Sequence, residues 1–371
     1  MRKKICILTS VHPVFDDRIF YKEAKTLTNA GYAVTLIAQH NKNEIVNGVK
    51  IIALPGPKNR FHRMFGITAK VLYLGFRENA SIYHFHDPEL IPAGVILKNF
   101  GKKVIYDVHE DYGKSTLSSP YLPSATRKII AYLIDLLERI TTPMFDAVLT
   151  TTDRIAKNFS FHKQTVIIHN FPILPNFASC PKVISQRRSQ FRLIYAGGLS
   201  EIRGITEIME ALQCVSKDTE VELILCGQFS SQKYEQEVRS LPGFRMVRYE
   251  GMVDFEVVPQ LMADADAGIV CLLPAPNYID AMPIKLFEYM AAGLPVIASG
   301  FPLWKEIVEG NRCGVCVDPC DPRDIACAIV YLAQNPALCE TMGENGRKAV
   351  LEKYNWESES VKLLNTYKGL N

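Results

Sequence analysis

The chain alternates short apolar segments with amphipathic ones, and this alternation is the feature that most limits its possible folds. Each apolar segment has a length suited to a strand buried on both faces. The predicted strands of the first half are Ile5–Thr9, Ala33–Ala38, Val49–Leu54, Ile82–Phe85, Val104–Val108 and Val166–Ile168, and those of the second half are Arg192–Ala196, Val221–Cys226, Ala267–Leu272, Leu294–Ala298 and Gly314–Val317. Strands that alternate with helices form parallel sheets with right-handed crossovers, so the sequence predicts two α/β sheets.

The length and one irregular segment divide the chain into two domains. With 371 residues, it can form two domains that each have a core. Residues 170–190 lose all periodicity and contain three prolines, which is typical of an interdomain linker. We therefore expect domains at residues 1–175 and 190–354, followed by a helix at residues 355–371.

Composition excludes several classes of protein. The formal net charge of +3 is too small to favour a nucleic-acid binder. The ten cysteines lack the spacing of a secreted disulfide scaffold, which favours a reducing, cytoplasmic location. The apolar run after Lys4 is too short for a signal peptide. No run of 18 apolar residues is present to span a membrane.

The loop after the first predicted strand carries three charged residues. This loop, SVHPVFDDR, lacks the G-x-G-x-x-G pattern, which weakens a dehydrogenase interpretation. Asp16, Asp17 and Arg18 could shape the acceptor side of a site. They could equally cap and pair on the helix that follows, and we favour this role because Asp is common at helix starts.

Two polar clusters follow later strands of the first half, YHFHDPE and VHEDYGK. His84 and His86 are two residues apart on a strand and so share one face. The spacing predicts no third ligand for them, so we expect no metal site.

The segment from Asp280 to Ser299 has the strongest functional pattern. It predicts a loop, a helix whose first turn contains Pro283, a left-handed cap at Gly293 and a buried strand. Backbone amides at a helix N-terminus bind phosphate. A carboxylate such as Glu288 on the next turn could accept hydrogen bonds from a sugar diol. Together they suit a nucleotide sugar, although a solvated surface helix remains an alternative.

The stretch LFEYMAAGLPVIAS resembles the acidic signature of retaining GT-B glycosyltransferases in the large "glycosyl transferases group 1" family. That signature holds two Glu separated by seven residues, and here Asp280 and Glu288 occupy their positions. The resemblance spans almost the whole chain. It implies two Rossmann-like domains facing a central cleft. It also implies retaining, metal-independent transfer from a nucleotide sugar to a saccharide or lipid-linked acceptor, with no cofactor.

The resemblance also assigns roles to single residues. Arg203 takes the place of the Lys in the family segment GRLxxxKG, whereas Gly198 stands where that segment has Arg. We expect Lys285 to replace the missing cation. Asp280 and His109 would position the donor sugar, and Glu288 would hold the ribose. The remaining expected donor-binding residues are Gly197, Gly198, Gly227, Met252, Val253, Pro283 and Ile284.

Two amphipathic stretches bear on location. The segments at residues 58–77 and 124–140 could each lie on an anionic bilayer at the inner face of the membrane, or pack on the core. We expect the second to pack on the core. Two other functions remain open, a nucleotide-sugar epimerase of the same fold and a non-catalytic nucleotide-sugar-binding subunit.

Overall fold

A computed structural model describes residues 2–59, 61–117, 123–178, 190–216, 218–254 and 256–370. The chain divides into two compact units. The first consists of Met1–Asn170 together with Glu357–Asn371, and the second is Phe171–Trp356. Much of the predicted linker, residues 179–189, lies outside the described residues.

The first unit is built on an eight-stranded sheet with the order β3-β4-β2-β1-β5-β6-β7-β8. Its strands are β1 (Lys4–Pro13), β2 (Ala33–Gln39), β3 (Glu44–Val46), β4 (Val49–Leu54), β5 (Ile82–Phe85), β6 (Lys103–Val108), β7 (Ala147–Thr150) and β8 (Thr165–Ile167). Neighbouring strands are parallel, apart from the antiparallel pair β3 and β4.

Helices connect these strands. The first begins with a π-helical segment, Asp17–Ala24, and continues as α1. A second π-helical segment, His62–Ile67, likewise leads into α2. The α-helices of this part are α1 (Lys25–Asn29), α2 (Thr68–Glu78), α3 (Ile91–Asn99), α4 (Tyr112–Leu117), α5 (Ser124–Thr141) and α6 (Asp153–Asn158).

The second unit is built on a six-stranded sheet with the order β11-β10-β9-β12-β13-β14, and all its neighbouring strands are parallel. Its strands are β9 (Phe191–Ala196), β10 (Val221–Cys226), β11 (Val247–Gly251), β12 (Ala267–Val270), β13 (Val296–Ser299) and β14 (Gly314–Val317). Its helices are α7 (Pro175–Ala178), α8 (Ile205–Cys214), α9 (Gln232–Ser240), α10 (Val258–Ala263), α11 (Ile284–Ala291), α12 (Pro302–Val308), α13 (Pro322–Gln334) and α14 (Pro336–Glu352). The last helix is α15 (Trp356–Gly369).

Helix α11 shows how the sequence positions the chemistry. Leu286, Phe287 and Met290 are fully buried and fix this helix against the sheet. Tyr289 packs directly over β12 at Gly268, where an added Cβ would lie 2.2 Å from the ring. The helix therefore presents a single, well-determined face to the ends of the strands, and its residues Ile284 and Glu288 are only partly buried.

The exposed surface of α5 contradicts the sequence prediction for residues 124–140. We expected this helix to pack on the core, but its large apolar residues Ile129, Tyr132, Leu133 and Ile140 are all exposed. The helix turns these apolar residues toward the side that its neighbours leave uncovered, and its buried side packs mainly on α4. That side carries Ala131 and Glu138, and the Glu138 carboxylate accepts a hydrogen bond of 2.7 Å from the Tyr106 hydroxyl.

Candidate functional site

The loops that follow β9, β10 and β11 are joined by hydrogen bonds at the carboxyl edge of the second sheet. The amide of Gly197 donates to the carbonyl of Cys226 at 2.9 Å, and the amide of Gly227 donates to the carbonyl of Gly251 at 2.7 Å. The Tyr249 hydroxyl donates to the carbonyl of Gly227 at 3.0 Å. This edge is where open parallel sheets bind their ligands.

Two of these glycines cannot be replaced without a local shift. Gly197 has a φ of 141° and Gly227 a φ of 142°, a region that only glycine adopts readily. A Cβ on Gly227 would lie 1.8 Å from the carbonyl oxygen of Gly197. Gly197 and Gly227 therefore allow the two backbone segments to approach each other closely. They also leave Gly197 with a face that carries no side chain of its own.

Lys285 reaches that face from the first turn of α11. Its side chain is only 6% exposed, and its ammonium lies 3.9 Å from the centroid of the Tyr195 ring. A Cβ on Gly197 would lie 2.5 Å from Lys285 Nζ. Among the described residues, this ammonium has no hydrogen-bond partner. A buried cation in this state is suited to an anionic ligand.

Arg203 and Glu288 are close enough to affect the charge of Lys285. Burial lowers the pKa of Lys285 well below its usual value, the positive charge of Arg203 lowers it further, and Glu288 opposes the shift. Burial also raises the pKa of Tyr195 to about 12, although Arg203 opposes that shift. Arg203 Nε would lie 3.6 Å from a Cβ on Gly198. The structure thus brings together Gly197, Gly198, Arg203, Lys285 and Glu288.

The loop before α11 carries Asp280, which is partly buried. The indole Nε1 of Trp304 anchors this loop by donating to the carbonyl of Ala281 at 2.7 Å. Pro283 is the N-cap of α11 in an extended conformation, so the prediction that it lies within the first turn is off by one residue. Ile284 begins the helix, and its amide is one of the N-terminal donors that lack an intrahelical partner.

The residues expected to contact the base lie at the end of β11. Met252 is 81% exposed. Val253 is partly buried and packs against the core. Their loop begins at Gly251, whose carbonyl accepts the Gly227 amide. The hydrogen bond at Gly251 fixes the backbone of this loop, and the exposed Met252 side chain does not cover it. The main chain of the loop is therefore accessible for contact.

His109 lies in the first unit, at the carboxyl end of β6. Its Nε2 lies 3.0 Å from Nδ1 of His86 and 3.5 Å from Oδ2 of Asp107. Its side chain is 14% exposed, and the ring of His12 lies 5.2 Å away. The sequence motifs did not point to His12 or Asp107. Asp107 could have been found, because it is two residues from His109 and so lies on the same side of the strand.

The three charged residues after β1 have structural roles. Asp16 is the N-cap of the first helix, and its carboxylate accepts from the amides of Arg18 and Ile19, each at 3.0 Å. Asp17 pairs with Lys22 at 2.6 Å. Arg18 is 3% exposed, and its guanidinium donates to both oxygens of Asp107. The charged group of Arg18 is therefore enclosed, in agreement with the structural role that we favoured, and a part of these residues in shaping the acceptor side stays a prediction.

Spacing along the sequence predicted no third ligand beside His84 and His86, but the structure brings two further side chains that could bind a metal close to them. Glu23 and Asp107 lie beside them, and one ligand atom from each of the four side chains lies within 4.8 Å of the others. All four side chains are buried. Glu23 comes from the first helix, a placement that spacing along the sequence cannot show.

Comparisons with known proteins cover both units. Residues 18–171 match the family described as Glycosyltransferase Family 4, and residues 190–335 match the family described as Glycosyl transferases group 1. A phosphatidyl-myo-inositol mannosyltransferase of Mycobacterium leprae is 28% identical over 207 residues, which are 54% of this chain and 53% of that protein. The corresponding protein of Mycobacterium tuberculosis is 21% identical over 364 residues, 93% of this chain and 90% of that protein.

Other relatives match over a shorter part of their length. An uncharacterized glycosyltransferase of Methanocaldococcus jannaschii is 25% identical over 177 residues, 44% of that protein. The chain thus spans about half the length, or less, of several curated relatives that it matches. Among the described residues, no helix has both the length and the apolar character needed to cross a membrane.

Solved structures show the same fold. A sucrose-phosphate synthase from Thermosynechococcus elongatus has a TM-score of 0.79 at 19% identity, covering 100% of this chain and 99% of its own. The Anabaena protein HepE, solved with UDP-glucose, has a TM-score of 0.74 at 17% identity, with 100% of each chain covered. With two parallel-sheet α/β domains, both matched family regions and these GT-B neighbours, the chain belongs to the glycosyl transferases group 1 family.

Proposed function

We propose that this protein transfers a sugar from a nucleotide sugar to a saccharide or lipid-linked acceptor, with retention of anomeric configuration and without a metal at the diphosphate. The observation that carries the proposal is Lys285, a buried ammonium beside Gly197 that has no hydrogen-bond partner among the described residues. A diphosphate supplies the acceptor oxygens and the negative charge that this ammonium lacks.

The donor site is assembled around that ammonium. Arg203 adds a second cation, and the first amides of α11 from Ile284 add donors for the same anion. Gly197 and Gly198 let the diphosphate approach the backbone because they have no side chains of their own, and the side chains nearest to them are the two cations, Lys285 and Arg203. Glu288 follows one turn later on α11, where its carboxylate can accept from the ribose hydroxyls.

The chemistry follows from stabilising the leaving group. The bond between the anomeric carbon and the diphosphate oxygen breaks, and the electron pair remains on the diphosphate, which Arg203 and Lys285 neutralise. The acceptor hydroxyl attacks from the same face, and its proton passes to a phosphate oxygen of the donor. Within the second unit, Asp280 holds sugar hydroxyls of the donor, and two cations at the diphosphate take the place of a metal ion.

The exposed surface of α5 bears on the acceptor. Ile129, Tyr132, Leu133 and Ile140 are exposed, and Arg127, Lys128 and Arg139 lie on the same helix. An amphipathic helix with basic residues binds an anionic bilayer through burial of its apolar side chains and through electrostatic attraction to the lipid headgroups. Contact of this helix with a membrane would bring a lipid-linked acceptor to the enzyme, and we include that contact in the proposed function.

Thermal unfolding with a panel of nucleoside diphosphates tests the donor site. UDP, GDP and ADP are added separately, each with and without EDTA, because a ligand that binds only the folded state must raise the midpoint. We expect one base to give a clear rise that EDTA does not remove and that Glu288→Ala abolishes. Glu306→Ala, on helix α12, is the control and should keep the rise. No rise with any nucleotide would contradict the proposal.

A transfer assay with the nucleotide sugar of the identified base then separates the alternatives. Loss of donor that depends on an added acceptor supports a transferase. Conversion of the donor to its epimer without acceptor would establish an isomerase instead, and binding without any turnover would indicate a non-catalytic subunit.

A further inference from the structure

We propose that Glu23, His84, His86 and Asp107 form a buried binding site for one divalent transition-metal ion, of which Zn²⁺ is the best fit. The four side chains come from three elements of the first unit. Glu23 lies in the π-helical segment, His84 and His86 lie on and just after β5, and Asp107 lies on β6. Their ligand atoms lie within 4.8 Å of one another, and each side chain is 0% exposed.

The free atoms of these side chains point to a ligand. Nε2 of His84 and Nε2 of His86 have no hydrogen-bond partner among the described residues, and neither has Oε2 of Glu23, whereas Oε1 of Glu23 is ion-paired with Arg18. The other ring nitrogens are engaged, since Nδ1 of His84 lies 2.8 Å from the Tyr367 hydroxyl and Nδ1 of His86 lies 3.0 Å from His109 Nε2. Metal-binding histidines show this pattern, in which an outer partner orients the ring.

The separations favour an ion over a direct contact. Nε2 of His86 lies 3.6 Å from Oε2 of Glu23, and Nε2 of His84 lies 3.7 Å from Oδ2 of Asp107. These distances exceed those of N–H···O hydrogen bonds, about 2.7–3.2 Å. Two ligands on a tetrahedral zinc ion lie about 3.3–3.5 Å apart, whereas two groups bridged by water lie about 4.6 Å apart. These two separations are nearest to those of ligands on a shared ion, and all four ligand atoms lie within 4.8 Å of one another.

Arg18 determines how much negative charge remains uncompensated in this site. Its Nε lies 3.0 Å from Oε1 of Glu23 and 2.9 Å from Oδ2 of Asp107. The guanidinium offsets one of the two carboxylate charges, and one negative charge remains beside two imidazoles. A divalent ion or a single proton can offset that remaining charge. Two imidazole nitrogens and two carboxylate oxygens are a set that suits zinc.

The proton is the competing occupant of the cluster. Burial raises the pKa of Glu23 well above its usual value, and the charge of Asp107 raises it further, whereas Arg18 opposes the shift. A protonated Glu23 has one O–H to donate, so it could serve at most one of the two histidine Nε2 atoms and would leave the other without a partner. The ion satisfies all three groups at once, and for this reason we assign the site to a metal.

The first test is the metal content of the full-length protein, purified without a metal-affinity tag and without chelators. We expect about one zinc ion per chain by elemental analysis. We also expect that protein produced with Co²⁺ shows the visible absorption of a tetrahedral cobalt site. Protein that carries no metal and shows no cobalt spectrum or change in thermal midpoint with added Zn²⁺ or Co²⁺ would overturn the proposal.

A pair of variants separates the ion from the proton. Glu23→Gln replaces a ligand with an amide that has the shape of a protonated carboxyl. If an ion is bound, the metal content of this variant falls to background and its thermal midpoint falls. If Glu23 carries a proton, neither protein contains metal and the variant keeps the midpoint of the parent, which would refute the metal site. Glu138→Gln, a buried glutamate bonded to Tyr106, is the matched control and should keep the ion.

Discussion

Replacing Lys285 with methionine should make the free protein more stable and greatly weaken its binding of nucleotide. Methionine keeps the length and apolar stem of lysine but removes the charge. In the protein without ligand, the ammonium is 6% exposed and has no hydrogen-bond partner among the described residues, with the charge of Arg203 nearby. The lysine therefore destabilises the free state and becomes favourable only when an anion is bound.

The size of both effects can be worked out. Replacing buried charges with apolar groups of similar volume commonly stabilises by about 1–4 kcal/mol. For a unit of this size, each kcal/mol raises the thermal midpoint by about 2–4 °C. A charge-assisted hydrogen bond to the diphosphate contributes about 1.5–3 kcal/mol, so Lys285→Met should weaken nucleoside diphosphate binding by about 10–150-fold.

The pH dependence gives an independent check with a definite sign. The pKa of Lys285 is lower in the folded state than in the unfolded state, where it is about 10.4. Above the folded pKa the unfolded chain binds more protons, so the free energy of unfolding rises with pH until the unfolded lysine also loses its proton. The destabilisation that the charged Lys285 causes is thus greatest below its folded-state pKa. The free energy of unfolding of the Lys285→Met protein should lack this rise with pH.

Calorimetric titration measures the affinity for the nucleotide that the panel identifies. Thermal unfolding of the free protein measures its stability. Lys353→Met, at an exposed lysine, is the control and should leave both unchanged. A Lys285→Met protein that binds the nucleotide with the affinity of the parent would refute the role of this ammonium, whatever its stability.

Three further predictions follow from the same contacts. Gly197→Ala places a Cβ 2.5 Å from Lys285 Nζ at a φ of 141°, so nucleotide affinity should fall at least about tenfold by titration, whereas Gly56→Ala, with no atom within 4 Å, should bind normally. Asp16→Ala should lower the free energy of unfolding by about 1–2 kcal/mol because the cap is lost. The pKa of Asp16 is lowered in the folded state, although burial opposes this shift. The contribution of Asp16 to the free energy of unfolding is therefore present above the pKa that Asp16 has in the unfolded chain, and it is lost as pH falls. The difference between parent and Asp16→Ala in denaturant unfolding should therefore shrink below about pH 4, and an undiminished difference would contradict the lowered pKa. Leu133→Asp on α5, which removes an apolar contact and adds a negative charge, should reduce sedimentation with anionic lipid vesicles without changing nucleotide binding; vesicle binding equal to that of the parent would exclude α5 as the contact.

The strands were predictable because their signal is local. Val49–Leu54, Ile82–Phe85 and Val221–Cys226 match β4, β5 and β10 residue for residue. Each is a short apolar run that is bounded by a turn or a polar residue. The three strands that we missed are short or partly exposed. β3 has only three residues and leaves Ile45 exposed, β7 has four residues, and β11 contains the polar pair Arg248 and Glu250.

The error at α5 has a different cause. Its sequence is strongly apolar, and this apolar character led us to predict that the helix is buried. Periodicity, however, cannot show how much of a helix its neighbours cover. The side that its neighbours cover carries Ala131 and Glu138. Burial of a helix all round requires partners on every side, and the chain places none over Ile129, Tyr132 and Leu133 among the described residues.

The two charged centres show what a sequence can and cannot predict about a site. The proposed replacement of a missing cation at Gly198 by Lys285 depended on a single motif, and the structure places that lysine beside Gly197 and within reach of the charge of Arg203. The cluster around Asp107 depends on three separate elements, and no spacing rule joins Glu23 to His84 across 61 positions. Local pattern therefore predicts a site when one segment supplies most of its groups. When each element contributes one group, the site becomes visible only after the strand order is known.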